Sequence, residues 1–295
     1  MRLLANRENV VHEMALPGSG RAALRLHRAG YQSQAAIRSE LWWCTALADA
    51  GVAVPRPLAA LSGDMLVEAA PGIIASAIRW AKGEPLGAGG APLTGTVAHQ
   101  VQRFRALGLL LAQLHDATDR LTLPPWFERP DWGIDGLTGD GPHWGRFWEH
   151  PALTPDEARQ MRRARDGLRE RLTDHAAQGG DRGLIHADVL RENVLVEGDA
   201  LTLIDFDDSG TGFRGLDLGT ALVQNLAEPA FTDLRAALVE GYGERRLVCE
   251  HMVPVFTLAR ALASVGWTMP RLAPGDPVHR SHIARALACA ADVLP

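Results

Sequence analysis

The fold of this chain is decided by residues 183–208, which read Gly183-Leu-Ile-His186-Ala-Asp188-Val-Leu-Arg191-Glu192-Asn193-Val-Leu-Val-Glu197-Gly198-Asp199-Ala-Leu-Thr-Leu-Ile-Asp205-Phe206-Asp207-Asp208. Two short apolar runs, Val194–Val196 and Leu201–Ile204, flank an acidic turn that contains a glycine. This pattern predicts a β-hairpin rather than a helix. Because a hairpin brings its outer ends together, Asn193 and Asp205 are expected to lie side by side, with their oxygen atoms directed into one space.

Four polar residues of this stretch suit one chemistry. Magnesium prefers oxygen ligands and is commonly held by one or two carboxylates together with substrate phosphates, so Asn193 and Asp205 are predicted magnesium ligands that act with ATP. Asp188 is placed to orient an acceptor hydroxyl group and to take its proton. His186 is expected to brace the loop by hydrogen bonding rather than to touch the substrate. The pattern predicts an ATP-dependent phosphotransferase.

Two interpretations of these acidic residues compete. In one they form a metal and catalytic centre, and in the other they are solvated turn formers of an ordinary polar hairpin. The coincidence of fixed spacing with a strand context favours the first interpretation. Asp207 is expected to approach the metal or phosphate region, whereas for Asp208 the role of a turn residue is equally open.

The composition limits the classes of partner. The 295 residues include 30 Lys and Arg against 35 Asp and Glu, a net charge of -5. This balance gives no basic field for nucleic acid and no polybasic run for a membrane surface. Cys44, Cys249 and Cys289 are too widely spaced for a disulfide framework or a zinc site. No signal peptide or apolar segment of membrane length is found, so a cytoplasmic protein is expected.

The residues before position 83 predict a small antiparallel sheet with one helix. Extended apolar runs alternate with turns that contain Gly and Pro, and one segment repeats apolar residues every three or four positions. The predicted elements are strands at Asn9–Leu16, Arg21–His27, Met65–Glu68 and Ile73–Trp80, a hairpin turn at 17–20 and a helix at Ser33–Ala50. Val54–Pro57 is expected to stop regular structure, and Lys82–Pro92 to be a hinge and linker.

The rest of the chain is predicted to be mainly helical. Apolar residues recur with helical spacing in six segments, which are Val97–Ala117, Pro155–Ala177, Leu216–Leu226, Phe231–Tyr242, Val248–Trp267 and Val278–Val293. The sequence therefore predicts an α+β fold with two lobes. Residues 1–82 are the expected nucleotide-binding lobe, and residues 83–295 the larger helical lobe with the catalytic loop and the acceptor site.

The chain resembles the aminoglycoside phosphotransferase, choline kinase and type II homoserine kinase family of the protein-kinase-like fold, together with the stress-response kinases of that group. The resemblance covers nearly the whole chain and is most specific in His186-x-Asp188, Asn193 and Asp205. It implies that Asp188 is the catalytic base, that Asn193 and Asp205 bind magnesium, and that Asp217 supports the catalytic loop.

The resemblance also implies roles in the first lobe. Arg25 stands where these enzymes usually have a phosphate-contacting strand lysine, and Glu40 where a helix glutamate pairs with it. An arginine keeps the charge but is longer and planar, and a plain surface arginine is the alternative. A glycine-rich phosphate loop is missing from Asn6–Asn9 and from the turn at Pro17, so the groups that cover the triphosphate stay open. Ile78–Gly83 is expected either to hydrogen-bond the adenine or to be an ordinary linker.

Residues 123–151 are an aromatic-rich stretch with a loop-like composition, long enough to be functional. The aromatic side chains are Trp126, Phe127, Trp132, His143, Trp144, Phe147 and Trp148. They either wall an acceptor pocket, where aromatic faces suit a cationic amine, or pin a long loop to the helical lobe. His115, at a helix end, is expected to be structural.

Two classes of function fit these observations. The first is transfer of phosphate from ATP to a hydroxyl of a small molecule, such as homoserine, choline or an aminoglycoside, with a Ser/Thr protein kinase of the stress-response type as a variant. The second is a nucleotide-binding regulatory module without transfer activity. Asp188, Asn193 and Asp205 favour the first class, whereas Arg25 keeps the second open. The identity of the acceptor and the oligomeric state do not follow from the sequence.

Overall fold

The computed structural model describes residues 1–6 and 9–294, and the chain divides into two compact units. The first unit comprises Met1–Leu86, Asp116–Arg129 and Glu192–Asp207, and the second comprises Gly87–His115, Pro130–Arg191 and Asp208–Pro295. The sequence predicted two continuous lobes, because local patterns locate a helix or strand but do not show which segment returns to an earlier core. The assignment of nucleotide binding to residues 1–82 and of acceptor binding to residues 83–295 stays a prediction.

The strands of the described residues are short, and half of them were predicted. They are β1 (Arg2–Asn6), β2 (Asn9–Leu16), β3 (Gly20–His27), β4 (Pro57–Leu58), β5 (Val67–Ala70), β6 (Ile73–Arg79), β7 (Glu84–Pro85), β8 (Asp131–Trp132), β9 (Arg182–Ile185), β10 (Val194–Glu197), β11 (Ala200–Leu203) and β12 (Gly210–Phe213). The sequence analysis did not find β1, β4, β7, β8, β9 or β12, because segments of two to five residues carry too little periodicity.

The helices follow the predicted segments closely. They are α1 (Gln34–Asp49), α2 (Val97–Asp119), α3 (Ile134–Thr138), α4 (Pro155–Ala177), α5 (Gly215–Val223), α6 (Phe231–Gly243), α7 (Val253–Thr268) and α8 (Pro277–Val293). Capping side chains fix the beginnings of α1 and α4, and Asp276 caps α8 by accepting from the backbone N of Val278. Ser33 accepts a hydrogen bond from the backbone N of Ala36, and Thr154 forms a reciprocal capping box with Glu157. The five-residue α3 was not predicted.

The largest sheet lies in the first unit and has the order β1-β2-β3-β6-β4, with β5 paired to β6. All its pairings are antiparallel, which confirms the predicted α+β architecture with a small antiparallel sheet and one helix, α1. Arg25 lies on the central strand β3, between Val11 of β2 and Ser76 of β6. The residue is 5% exposed, so the alternative of a plain surface arginine is wrong.

The predicted hairpin at 194–204 is present in the first unit. Val194 pairs with Leu203 and Glu197 with Ala200, so the turn at Gly198 closes β10 onto β11. β7 pairs with the other edge of β10, which corrects the prediction that residues 82–92 are only a linker. Gly83 has φ +106°, and a Cβ atom there would lie 2.6 Å from the carbonyl oxygen of Val196, so this approach requires glycine.

The second unit combines a three-stranded sheet with most of the helices. β12 pairs antiparallel with β9 and parallel with β8. Its apolar core includes Trp132, Trp144, Phe147 and Trp148, which are all at most 8% exposed. This burial supports the interpretation that these aromatic residues fix the 131–151 segment to the helices. Trp126, in contrast, is 50% exposed.

Candidate active site

The hairpin of the first unit places Asn193 and Asp205 at its open end. The backbone N of Ile204 donates to the carbonyl oxygen of Asn193 over 2.9 Å, so the residues flanking the two strands are held together. Asn193 is buried and Asp205 is exposed. Asp205 has φ +66°, a left-handed conformation that is uncommon for residues other than glycine and that clusters at functional sites. An amide oxygen and a carboxylate in this setting form a partial ligand set for magnesium.

Arg25 and Glu40 form the predicted ion pair. Nη2 of Arg25 lies 2.5 Å from Oε1 of Glu40, and the two side chains are 6% and 3% exposed. Nη1 of Arg25 also faces Oδ1 of Asp207 at 3.4 Å. Burial alone lowers the pKa of the Arg25 guanidinium, but the negative charges of Glu40, Asp207 and Asp205 outweigh it and raise the pKa above its ordinary value. Arg25 therefore stays charged.

Asp207, whose role the sequence left open, is held by protein groups. Asn9 donates from Nδ2 to its Oδ2 over 2.7 Å, and Gln32 donates from Nε2 to its carbonyl oxygen over 2.6 Å. Arg129 donates to the same carbonyl oxygen and, over 3.2 Å, to that of Phe206. Burial, followed by the charge of Glu40, raises the pKa of the Asp207 carboxyl, and Arg25 opposes this rise.

The supporting roles of Asn9, Gln32 and Arg129 were missed. Asn9 is the first residue of a predicted strand, Gln32 precedes a predicted helix, and Arg129 lies in the aromatic-rich stretch. None of the three has a local pattern that separates it from an ordinary polar residue at the end of an element. Their common target, the backbone around Asp207, is distant from each of them in sequence.

In the second unit, Asp217 at the start of α5 holds the loop that contains His186 and Asp188. Its Oδ2 accepts from the backbone N of His186 over 2.9 Å, and its Oδ1 accepts from the backbone N of Ala187 over 2.7 Å. Ala187 has φ +64°, so the chain bends sharply just before Asp188. Nδ1 of His186 accepts from the backbone N of Asp188 over 3.3 Å. These contacts give His186 and Asp217 the loop-bracing geometry that was predicted.

His115 extends this support inward. Its Nε2 lies 3.1 Å from Oδ2 of Asp217, and its Nδ1 lies 2.9 Å from the hydroxyl of Tyr242. A carboxylate can only accept, so Nε2 carries the proton and Nδ1 accepts from Tyr242. Burial lowers the pKa of His115 although Asp217 opposes this effect, and burial also raises the pKa of Tyr242. His115 is thus a neutral link in a buried hydrogen-bond chain.

The carboxylate of Asp188 faces an arginine that the sequence analysis did not identify. Nη2 of Arg260, on α7, donates to Oδ1 of Asp188 over 2.7 Å. Arg260 is 6% exposed and is the only charged residue of α7. A single charge in an otherwise apolar helix is a sequence signal for a buried, paired group, because long charged side chains are rarely buried without a partner.

Arg191 anchors the far end of the same loop. It is 2% exposed, and its Nη2 donates to Oδ1 of Asn225 over 2.7 Å and to Oε1 of Glu228 over 2.5 Å. Nη1 donates to the carbonyl oxygen of Ala91 over 2.5 Å. Arg191 stands in the quoted stretch, but its distant partners could not be read from the local spacing.

Three further expectations concern the triphosphate segment, a metal cluster and a membrane-spanning helix. Arg7 and Glu8, in the segment considered for triphosphate binding, lie outside the described residues. Within residues 1–6 and 9–294, no cluster of three or more His, Cys, Asp or Glu side chains is suited to hold a metal ion. In the same residues, no helix combines the length and apolar character needed to cross a membrane.

Several known proteins are similar to this chain. The model of a family described as phosphotransferase enzymes matches residues 4–252. The structure of a microcompartment-associated aminopropanol kinase is similar, with 30% identity and a TM-score of 0.81, over 99% of this chain and 89% of the other. A protein of Deinococcus radiodurans is 30% identical over 87% of this chain and 73% of its own length. A homoserine kinase of Sinorhizobium fredii is 28% identical over 56% of this chain and 49% of its own length.

Proposed function

The chain belongs to the phosphotransferase enzyme family, and we propose that it transfers the γ-phosphoryl group of ATP to a hydroxyl group of a small molecule. The setting of Asp188 carries this proposal. Asp217 holds its loop through two backbone hydrogen bonds, and Arg260 holds its carboxylate. A general base needs a carboxylate that stays in place while the acceptor hydroxyl approaches.

The groups of the first unit suit the nucleotide. Asn193 and Asp205 are the proposed magnesium ligands, and the phosphates of ATP complete the set. When bound, magnesium offsets negative charge on the phosphoryl oxygens. Arg25 is the proposed phosphate contact. Its Nε atom is buried with no hydrogen-bond partner among the described residues, so it retains a donor. Glu40 and Asp207 hold the two terminal nitrogen atoms of the guanidinium in position.

The groups of the second unit suit the acceptor. Asp188 orients the hydroxyl group and accepts its proton as the oxygen attacks the γ-phosphorus atom, and ADP leaves. His186 and Asp217 fix the loop without contact with the substrate. An amino alcohol is the proposed acceptor class, since the similar enzymes named above act on aminopropanol and on homoserine. We place the reaction in the cytoplasm.

A direct test is to incubate the purified chain with Mg²⁺ and ATP and to measure ADP with a panel of hydroxyl compounds. The panel contains aminopropanol, homoserine, choline, an aminoglycoside and a Ser/Thr-containing protein. We expect at least one small compound to raise ADP formation about tenfold or more, and Asp188→Asn to abolish that increase. If only the protein is phosphorylated, or if no compound stimulates turnover, the proposed function is wrong.

A further inference from the structure

Arg260 has three contacts that leave its guanidinium little freedom. Nη2 donates to Oδ1 of Asp188 over 2.7 Å, and Nη1 donates to Oγ of Ser264 over 2.5 Å. The guanidinium carbon lies 4.4 Å from the ring centroid of Trp144, so the cation stacks on the aromatic face. Ser264 is in turn fixed by its own hydrogen bond to the carbonyl oxygen of Arg260. The fork is therefore preorganised before any substrate arrives.

Two further basic residues, Arg285 and His282 of α8, lie near Arg260. Burial, followed by the charge of Arg260, lowers the pKa of Arg285 to about 10. Burial, followed by the charges of Arg285 and Arg260, lowers the pKa of His282 to about 4, so His282 is neutral near pH 7. The carboxylate of Asp188 is paired with the buried cation of Arg260, and removal of one partner leaves the other charge unpaired.

We propose that Arg260 is a positioning residue for Asp188, which holds the carboxylate in the rotamer that accepts the proton of the acceptor hydroxyl. This inference rests on the proposed role of Asp188 in phosphoryl transfer. Trp144 and Ser264 act through Arg260, because they fix the plane of the guanidinium. The aromatic face of Trp144 on which Arg260 stacks is consequently occupied by the protein's own cation, and the ammonium group of a substrate does not bind there.

The proposal predicts a specific kinetic pattern. Arg260→Met keeps the length of the side chain but removes the fork, so kcat with aminopropanol or homoserine should fall about ten- to a hundredfold. The KM for ATP should change less than about twofold, since Arg260 contacts Asp188 and not the proposed nucleotide ligands. Arg260→Lys keeps the charge and should restore part of kcat, though not all, because the planar fork and the stacking are lost.

Arg165→Met is the matched control. Arg165 is also stacked on a tryptophan, with its guanidinium carbon 4.7 Å from the ring centroid of Trp148. Its ion pair, however, is with the neighbouring Asp166. The activity of this variant should stay within about twofold of wild type. Thermal unfolding of both variants shows whether they are folded at the assay temperature.

A double variant separates positioning from a merely structural role. If Arg260 acts through Asp188, Asp188→Asn with Arg260→Met should be no slower than Asp188→Asn alone, because residues of one functional unit are not additive. A further tenfold loss in the double variant would overturn the proposal. Equal kcat in Arg260→Met and wild type, with Asp188→Asn inactive, would overturn it while leaving the proposed function intact.

Crystal structures of wild type and Arg260→Met provide a readout that does not need turnover. We expect the Asp188 carboxylate to change rotamer or to be spread over several rotamers in the variant. An unchanged Asp188 rotamer would contradict the positioning role. If wild type turns over no compound of the panel, the proposed function fails, and the rotamer of Asp188 still decides whether Arg260 positions it.

Discussion

Two of the buried arginines of this protein, Arg25 in the first unit and Arg260 in the second, differ in their electrostatic surroundings. Arg25 lies among the acidic groups Glu40, Asp207 and Asp205, and the pKa of its guanidinium is raised. Arg260 is paired with the single carboxylate of Asp188, and the neighbouring Arg285 has a lowered pKa. The carboxylates around Arg25 outnumber the arginine, and this excess of negative charge suits a cation such as magnesium. Around Asp188, in contrast, one carboxylate lies near the basic side chains Arg260 and Arg285.

This difference predicts that changes in the two clusters have different kinetic signatures. A defect in the Arg260 cluster should reduce kcat, because it acts on the proposed base. A defect in the Arg25 cluster should mainly weaken the interaction with ATP, because it acts on the proposed phosphate contact. If variants of both clusters changed the same kinetic parameter, the proposed assignment of the Arg260 cluster to kcat and of the Arg25 cluster to ATP binding would be wrong.

The largest effect is expected at Asp188. Asp188→Asn keeps the size of the side chain but removes the charge that Arg260 pairs with and that we propose takes the hydroxyl proton. Transfer should fall about a hundredfold or more, while the affinity for ATP changes little. Steady-state kinetics and calorimetric titration with ATP and magnesium measure the two quantities. Near-normal turnover in this variant would mean that Asp188 is not the base.

A smaller effect is expected at Arg25. Arg25→Ala should lower kcat/KM for ATP by about ten- to a hundredfold, since a charge-assisted contact to phosphate is lost and Glu40 remains buried without its partner. Arg25→Lys should preserve a substantial part of the activity because the charge is kept. An Arg25→Ala variant equal to wild type in ATP affinity and turnover would contradict the phosphate role.

The coupling between Arg25 and Glu40 sharpens this result. Glu40→Gln should reduce ATP affinity in the same direction as Arg25→Ala. Because the two side chains form one buried pair, the double variant should be less impaired than the sum of the single changes. Additive losses would show that Glu40 affects activity independently of Arg25.

The sequence predicted Arg25, Glu40 and the hairpin because each lies in a segment whose local pattern is strong. The spacing of apolar residues fixed β3, α1, β10 and β11, and the family resemblance then supplied the Arg25–Glu40 pair. Arg260 was missed for a physical reason. Its helix was predicted, but the face on which it meets Asp188, 72 residues away in the chain, depends on the packing of α7. The pattern could indicate only that a lone charge in α7 needs a partner.

The aromatic-rich segment shows the same limit. Composition alone left open whether its tryptophans line a pocket or pack against helices. Trp132 and Trp148 are buried in the core of the second unit, and Trp144 stacks against Arg260. Hydrophobicity could not separate these outcomes, because a large aromatic ring is favourable in a core and in a binding site alike.

The smallest expected effect is a loss of stability in acid, to which His27 of the first unit and His282 of the second both contribute. Burial is the main reason why the pKa of His27 in the first unit and that of His282 in the second are both lowered to about 4. The unfolded chain takes up these protons near pH 6.5, about where free histidine titrates. The free energy of unfolding is therefore unaffected by these groups above about pH 6.5 and falls as the pH drops towards about 4.

Because each ring is still partly in contact with water, which weakens the effect, the free energy of unfolding should fall by about 1 to 2 kcal/mol for each histidine. Urea denaturation at several pH values measures it. The variant His27→Gln should lose less stability in acid than wild type, by about the share of one histidine, with the exposed His99 changed to Gln as the control. A stability that does not change between pH 7 and pH 4.5 would mean that the two imidazoles are not held neutral.

Phosphorus NMR of the purified protein with magnesium, ATP and aminopropanol or homoserine tests the central claim most directly. The proposed function predicts that the ATP signals are replaced by those of ADP and of a phosphate monoester, and that Asp188→Asn leaves the ATP signals unchanged over the same time. The appearance of ADP with inorganic phosphate alone, or a phosphate monoester formed at the wild-type rate by Asp188→Asn, would contradict it.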